Sequence, residues 1–181
     1  MVLAFYLLLL AGSIGAYDVL VYHMRKCRLY RRPQSAAENV THALRALIFA
    51  SFFFVIMRVD ARGAWWWLYA GLCAAEIVNS MFDTYLEKGS RADQGGLPNG
   101  EYCLHVLLSI IVGGAMTSML AGTFHTMHEP TSLTFRELEL PPFFRFMGYA
   151  SQVNAMGFFL FEGAAVLVVK SLHARQGSRP A

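Results

Sequence analysis

The sequence predicts an all-α fold, a polytopic transmembrane helical bundle, and three observations carry that expectation. Hydrophobic residues make up 56% of the 181-residue chain and charged residues only 15%, where a soluble domain carries nearer ~25% charge. The apolar residues arrive in blocks of roughly 20, the length that crosses the hydrocarbon core. Basic residues gather at alternate block ends, the pattern that orients helices in a membrane. Five helices are expected, at about residues 2–23, 36–57, 64–86, 101–122 and 148–169, forming one transmembrane domain over residues 1–181. The first four pair into two hairpins that build a four-helix core, and the fifth is added to it.

The first block has no Lys or Arg before it and ends in Arg25, Lys26, Arg28, Arg31 and Arg32. That is the pattern of a retained helix with its N-terminus outside, rather than of a cleaved signal peptide. Pro33 cannot continue a helix, and Ser35 can cap the next one. Arg58, Asp60, Arg62 and Gly63 form an outer turn before the third block, which opens on Trp65, Trp66 and Trp67. Tryptophans belong at a membrane interface, with the ring buried and the N–H wet. Residues 87–100 are polar and glycine-rich and read as a cytoplasmic loop. Residues 123–147 form an extracytoplasmic loop whose stretch 133–140 mixes apolar and charged residues, as a segment lying on the membrane surface does. The fifth block ends in Lys170, Arg175 and Arg179. With this topology ten basic residues lie inside and four outside, Arg45 being within the second helix, which places the C-terminus in the cytoplasm.

The net charge of +3 is small and follows topology, so it does not indicate nucleic acid. Cys27, Cys73 and Cys103 stand at no metal-finger or redox spacing and cannot form a closed disulfide framework. The ionisable residues inside the helices carry the chemistry. Glu38 and His42 stand one helical turn apart at the start of the second helix, and Glu101 and His105 repeat the spacing at the start of the fourth. Asp18 and His23 end the first helix, and Glu76 and Asp83 lie two turns apart near the end of the third. All eight fall at the same end, within roughly 15 Å of the interface at ~1.5 Å rise per residue. The order is also repeated: Asp18 precedes Glu38-x-x-x-His42 as Asp83 precedes Glu101-x-x-x-His105, so each hairpin is expected to join its own aspartate to its own histidine.

Carboxylates crowded in low dielectric repel one another, and a pair of divalent cations neutralises about four of them. Asp18, His23, Glu38, His42, Glu76, Asp83, Glu101 and His105 are therefore expected to hold two metal ions. Oxygen-rich ligation with imidazoles suits iron first, with zinc or manganese as alternatives. Arg45, one turn beyond His42, is expected to bind an anionic group of the substrate. The eight-residue order resembles that of a family of small bacterial inner-membrane proteins of unassigned function, over about residues 14–110. The resemblance implies the bacterial inner membrane and brings no activity with it. The family carries a histidine just before the third-helix acid and a tryptophan before its aspartate, where Ala75 and Phe82 stand here.

A membrane-embedded diiron-type oxidoreductase acting on a lipid or other apolar substrate is the leading expectation. A zinc-dependent lipid hydrolase, a metal or proton transporter, and a haem-binding bundle with His42 and His105 as axial ligands are the alternatives. His125, His128 and Glu129 resemble half a metal site in a loop. Glu162 is a lone acid in the fifth helix. Asn39-Val40-Thr41 matches a glycosylation triplet but stands at a cytoplasmic helix start, so it is rejected.

Overall fold

The computed structural model describes residues 1–177, and Arg179, counted among the inner basic residues, lies outside them. Among the described residues the fold is all-α apart from one small hairpin. Its long helices are α1 (Val2–Asp18), α2 (Ala36–Arg58), α3 (Trp67–Ser90), α4 (Asn99–Thr123) and α5 (Pro142–Gly177), and the strands are β1 (Val59–Arg62) and β2 (Ser132–Phe135). Among the described residues four segments are long and apolar enough to cross a membrane: Val2–Lys26, Pro33–Arg58, Asn99–His128 and Pro142–Val169. This is a membrane protein.

Helix α3 is the fifth long helix, and its two faces explain why it is less apolar than the others. Cys73, Glu76, Asn79, Asp83, Glu87 and Ser90 recur at three- and four-residue steps and are buried. Ile77, Val78, Met81, Phe82 and Tyr85 fall between them and are exposed. The helix is thus polar inward and apolar outward, the reverse of a soluble amphipathic helix. That inward polar stripe lowers its mean hydropathy.

Helix α1 packs along α4, and α2 lies between α3 and α5. The half of the bundle away from the ionisable residues is filled by Phe5, Leu8, Phe52, Phe53, Ile56, Tyr69 and Met119. At that end the stretch expected to lie on the membrane surface is instead a strand. Ser132–Phe135 pairs antiparallel with Val59–Arg62, in the register Val59↔Phe135 and Arg62↔Ser132. The pairing continues as Arg136 N–H donates to Arg58 O and Leu138 N–H to Met57 O, both at 2.9 Å, so the last carbonyls of α2 find partners there. Leu138 and Leu140 are buried, which sets this segment into the protein. Gly63 makes the turn possible. It has φ +58°, and a Cβ there would sit 2.7 Å from Thr131 Cα. The three tryptophans divide: Trp65 and Trp67 are exposed, whereas Trp66 is buried and donates its indole N–H to Thr123 Oγ1 at 3.1 Å.

Candidate metal centre

After Asp18 the first helix widens into a π-helical turn, Val19–Lys26, closed by Cys27 N–H donating to Tyr22 O at 2.7 Å. In an α-helix residues five apart point ~140° away from each other. The i→i+5 turn brings them back to one side, and His23 Nε2 lies 3.3 Å from Asp18 Oδ2. The same nitrogen is 3.1 Å from Glu101 Oε1 on α4. His105, one turn after Glu101, completes the set with Nε2 hydrogen-bonded to Asp18 Oδ2 at 3.2 Å. Asp18, His23, Glu101 and His105 each offer one ligand atom, and those atoms all lie within 4.8 Å of one another.

The donor set fits a divalent ion that prefers oxygen and imidazole. Neither nitrogen of His23 makes a hydrogen bond, and Asp18 Oδ1 and Glu101 Oε2 have no partner, although the residues are buried. Buried polar atoms are nearly always satisfied, so these short N···O approaches without hydrogen-bond geometry leave the donors with capacity for a shared cation. His105 Nδ1 faces Glu87 Oε1 at 3.0 Å. A ligating histidine usually has its second nitrogen held by a carboxylate in this way.

The other four expected residues form an adjacent half. His42 Nε2 lies 3.3 Å from Asp83 Oδ1 and 3.7 Å from Glu38 Oε1, and its ring stacks on His23 at 4.4 Å between centroids. Among the described residues only the first group closes to mutual ligand distance. Here arginines take the carboxylates. Arg45 Nη1 is 2.8 Å from Asp83 Oδ2 and its Nε is 3.3 Å from Glu76 Oε1. Arg45 is therefore engaged as an internal counter-ion where an anion-binding role was expected. Glu76 meets Arg45 and Ser80. Arg91, assigned above to a solvated loop, is fully buried and bridges Glu38, at 2.5 Å, and Glu101. Burial alone would lower its pKa, but those two carboxylates hold it well above the ordinary arginine value.

Two further residues of the network went unrecognised in the sequence: Glu87 stands on the inward stripe of α3, and Arg91 directly follows that helix. Glu87 is four residues after Asp83 and Arg91 four after Glu87, so extending the stripe past the apolar block is the signal that finds them. Thr41 Oγ1 donates to Asp83 Oδ1 at 2.5 Å, and Asn79 Nδ2 donates to Thr41 O at 3.0 Å, tying α3 to α2. The hairpins also cross. Asp18 meets the histidine of α4 and Asp83 that of α2, where each was expected to join the histidine of its own hairpin. The reason is packing: α1 lies on α4 and α3 on α2.

Asp18, Glu38, Glu76, Asp83, Glu87 and Glu101 are six carboxylates facing two guanidiniums. With neutral histidines four negative charges remain, which two divalent cations would balance. In the far loop, Glu129 ion-pairs with Arg62 and His128 lies edge-on to Phe124 at 5.8 Å, and neither joins the group. Glu162 is 2% exposed, and its Oε2 has no hydrogen-bond partner. Asn39 is buried and donates to Leu29 O at 3.2 Å.

No protein-family model, no curated protein and no solved structure matches this chain.

Proposed function

We propose that the chain is a membrane-embedded, metal-dependent oxidoreductase of the diiron type, acting on a lipid or other apolar substrate. One ion is held by Asp18, His23, Glu101 and His105, and a second position adjoins it at Glu38, His42 and Asp83. The observation that carries the reading is the closure of the first four ligand atoms to within 4.8 Å of one another around buried donors that lack hydrogen-bond partners. In this reading the site faces the cytoplasm of a bacterial inner membrane, as the basic clusters at residues 25–32 favour.

Bound iron supplies one-electron and dioxygen chemistry. The chain's own groups do the rest. Glu87 orients the His105 ring, and Thr41 and Arg45 fix the Asp83 carboxylate. The apolar layer of Phe5, Leu8, Phe52, Phe53 and Ile56 seals the far side from water. The His105 side chain is 22% exposed, and Tyr17 and Leu20, beside Asp18 in sequence, and Tyr102 and Val106, beside His105, are exposed. These neighbours are apolar, so the open edge of the site favours a substrate that arrives from the bilayer.

A transporter is less well supported, because the same apolar layer interrupts any polar route through the bundle. The haem reading is disfavoured because His42 Nε2 is already faced by Asp83 Oδ1 at 3.3 Å and Glu38 Oε1 at 3.7 Å, where a porphyrin would have to sit. Metal analysis of detergent-purified protein tests the proposal. Iron is expected at one or more ions per chain, lost in the double variant D18A/H105A. Zinc in its place would favour the lipid hydrolase, and protein that binds no metal when supplied with it would sink the reading.

A further inference from the structure

We propose that Arg91 is the resident cation of the second metal position, and that its displacement decides whether the bundle holds one divalent ion or two. The inference rests on the metal reading above and concerns the half that does not close.

Arg91 is 0% exposed and joins the glutamates of the two Glu-x-x-x-His motifs. It does so at particular oxygens. Glu38 Oε1, 2.5 Å from Arg91 Nη2, is the atom 3.7 Å from His42 Nε2. Glu101 Oε1, also paired with Arg91, is the atom 3.1 Å from His23 Nε2. The guanidinium thus competes for the oxygens that an ion beside either histidine would take. Each glutamate keeps its Oε2 without a hydrogen-bond partner, so both carboxylates retain capacity for another cation. Without any cation two buried charges would stand unpaired, which is strongly destabilising. Arg91 therefore keeps the metal-free bundle folded, and an incoming divalent ion takes over its charge.

The position of Arg91 in the chain lets it leave. It directly follows α3, and the next residues make a single 3-10 turn, Ala92–Gln94. Gly95 and Gly96 follow at φ +84° and +91°. This turn is tied down by Asp93, which accepts from Arg32 and Gln34, and by Gln94 Nε2 donating to Cys27 O. The Asp93 contacts are exposed. The guanidinium can be withdrawn by moving this turn, with no spanning helix displaced.

The test is titration of detergent-purified, metal-stripped protein with manganese(II) alone, reading stoichiometry and both affinities. The wild type is expected to bind one ion tightly and a second weakly. R91M is expected to bind the second ion at least about tenfold more tightly, within the usual range of coupling between sites. If R91M does not fold, R91K is measured. It keeps the charge but loses the planar fork with which the guanidinium holds both carboxylates, and it too is expected to tighten the second ion. Unchanged stoichiometry and affinities in the arginine variants that fold, or loss of the first ion from them, would overturn the role of Arg91 while leaving the first site standing. Binding to none of the forms would overturn the metal reading itself.

Discussion

Asp18 and His105 belong to different hairpins, yet Asp18 Oδ2 and His105 Nε2 are hydrogen-bonded at 3.2 Å. Asp83 and His42 mirror them across the bundle at 3.3 Å. The two halves are knitted together by exchange: each hairpin supplies the carboxylate that the other's imidazole meets. Docking of the hairpins and assembly of the site are thus one event.

The exchange is measurable as an energetic coupling. Contacting residues couple by about 0.5–3 kcal/mol, whereas residues without shared partners add to within about 0.5 kcal/mol. A double-mutant cycle of D18N with H105A, read by thermal unfolding in detergent without metal, is expected to show coupling in that range. The cycle of D83N with H105A, whose ionic partners are His42 and Arg45 on one side and Asp18 and Glu87 on the other, is expected to be near additive. The reverse result would mean that the aspartates serve their own hairpins.

Glu87 is expected to matter to affinity without being a ligand. Its Oε1 faces His105 Nδ1 at 3.0 Å, the place of a carboxylate that fixes the tautomer of a ligating histidine. Loss of such a partner typically weakens metal binding about 10–100-fold. E87Q should show a loss of that size in an iron(II) or manganese(II) titration, and H105A a larger one. Equal losses would mean that Glu87 is itself a ligand.

The fold was legible because membrane insertion writes itself in long apolar blocks, and the bounds of α2 and α4 fall within about two residues of the blocks that announced them. The site level was legible from the repeated Glu-x-x-x-His turns. What escaped was non-local. Nothing in residues 59–62 or 132–135 shows that they pair across some 70 positions, because a strand of four residues carries little pattern. Arg91 escaped because basic residues beyond a block normally read as topology signals, and only the packing of α2 and α4 shows that this one is buried. The crossing of the hairpins is likewise a fact of helix packing that motif order alone cannot supply.

The turn that carries Arg91 is expected to be insensitive to pH in the physiological range. The Arg32 guanidinium beside Asp93 holds its carboxyl below the ordinary carboxylate value. A group with a lowered folded pKa contributes stability that is fully present above its unfolded pKa, about 3.9 for aspartate, and is lost as pH falls through the folded value. Protease sensitivity of residues 91–98 should therefore stay constant from about pH 8 to pH 5. D93N, which cannot ionise, should raise it throughout. Increased cleavage of the wild type already at about pH 6 would show that another group holds the turn.

Gly148 offers a test that separates stability from the site, since it lies at the opposite end of the bundle. A Cβ at this position would stand 2.7 Å from both Met57 Sδ and Phe5 Cε2, and 3.0 Å from Met57 Cε. Phe5 is fully buried and Met57 nearly so. Met57 is flexible and can yield, but the Phe5 ring is fixed against Phe53 and Tyr6, so α5 must move away from α1 and α2. Overpacking of this kind costs about 1–3 kcal/mol. G148A is therefore expected to lower the unfolding temperature in detergent while leaving metal stoichiometry unchanged. Adding M57A removes the methionine from the clash, so the double variant should fall short of the sum of the two single losses. If G148A instead strips the metal at full stability, the far end of the bundle controls the site, and the two ends are not the separate layers that their packing indicates.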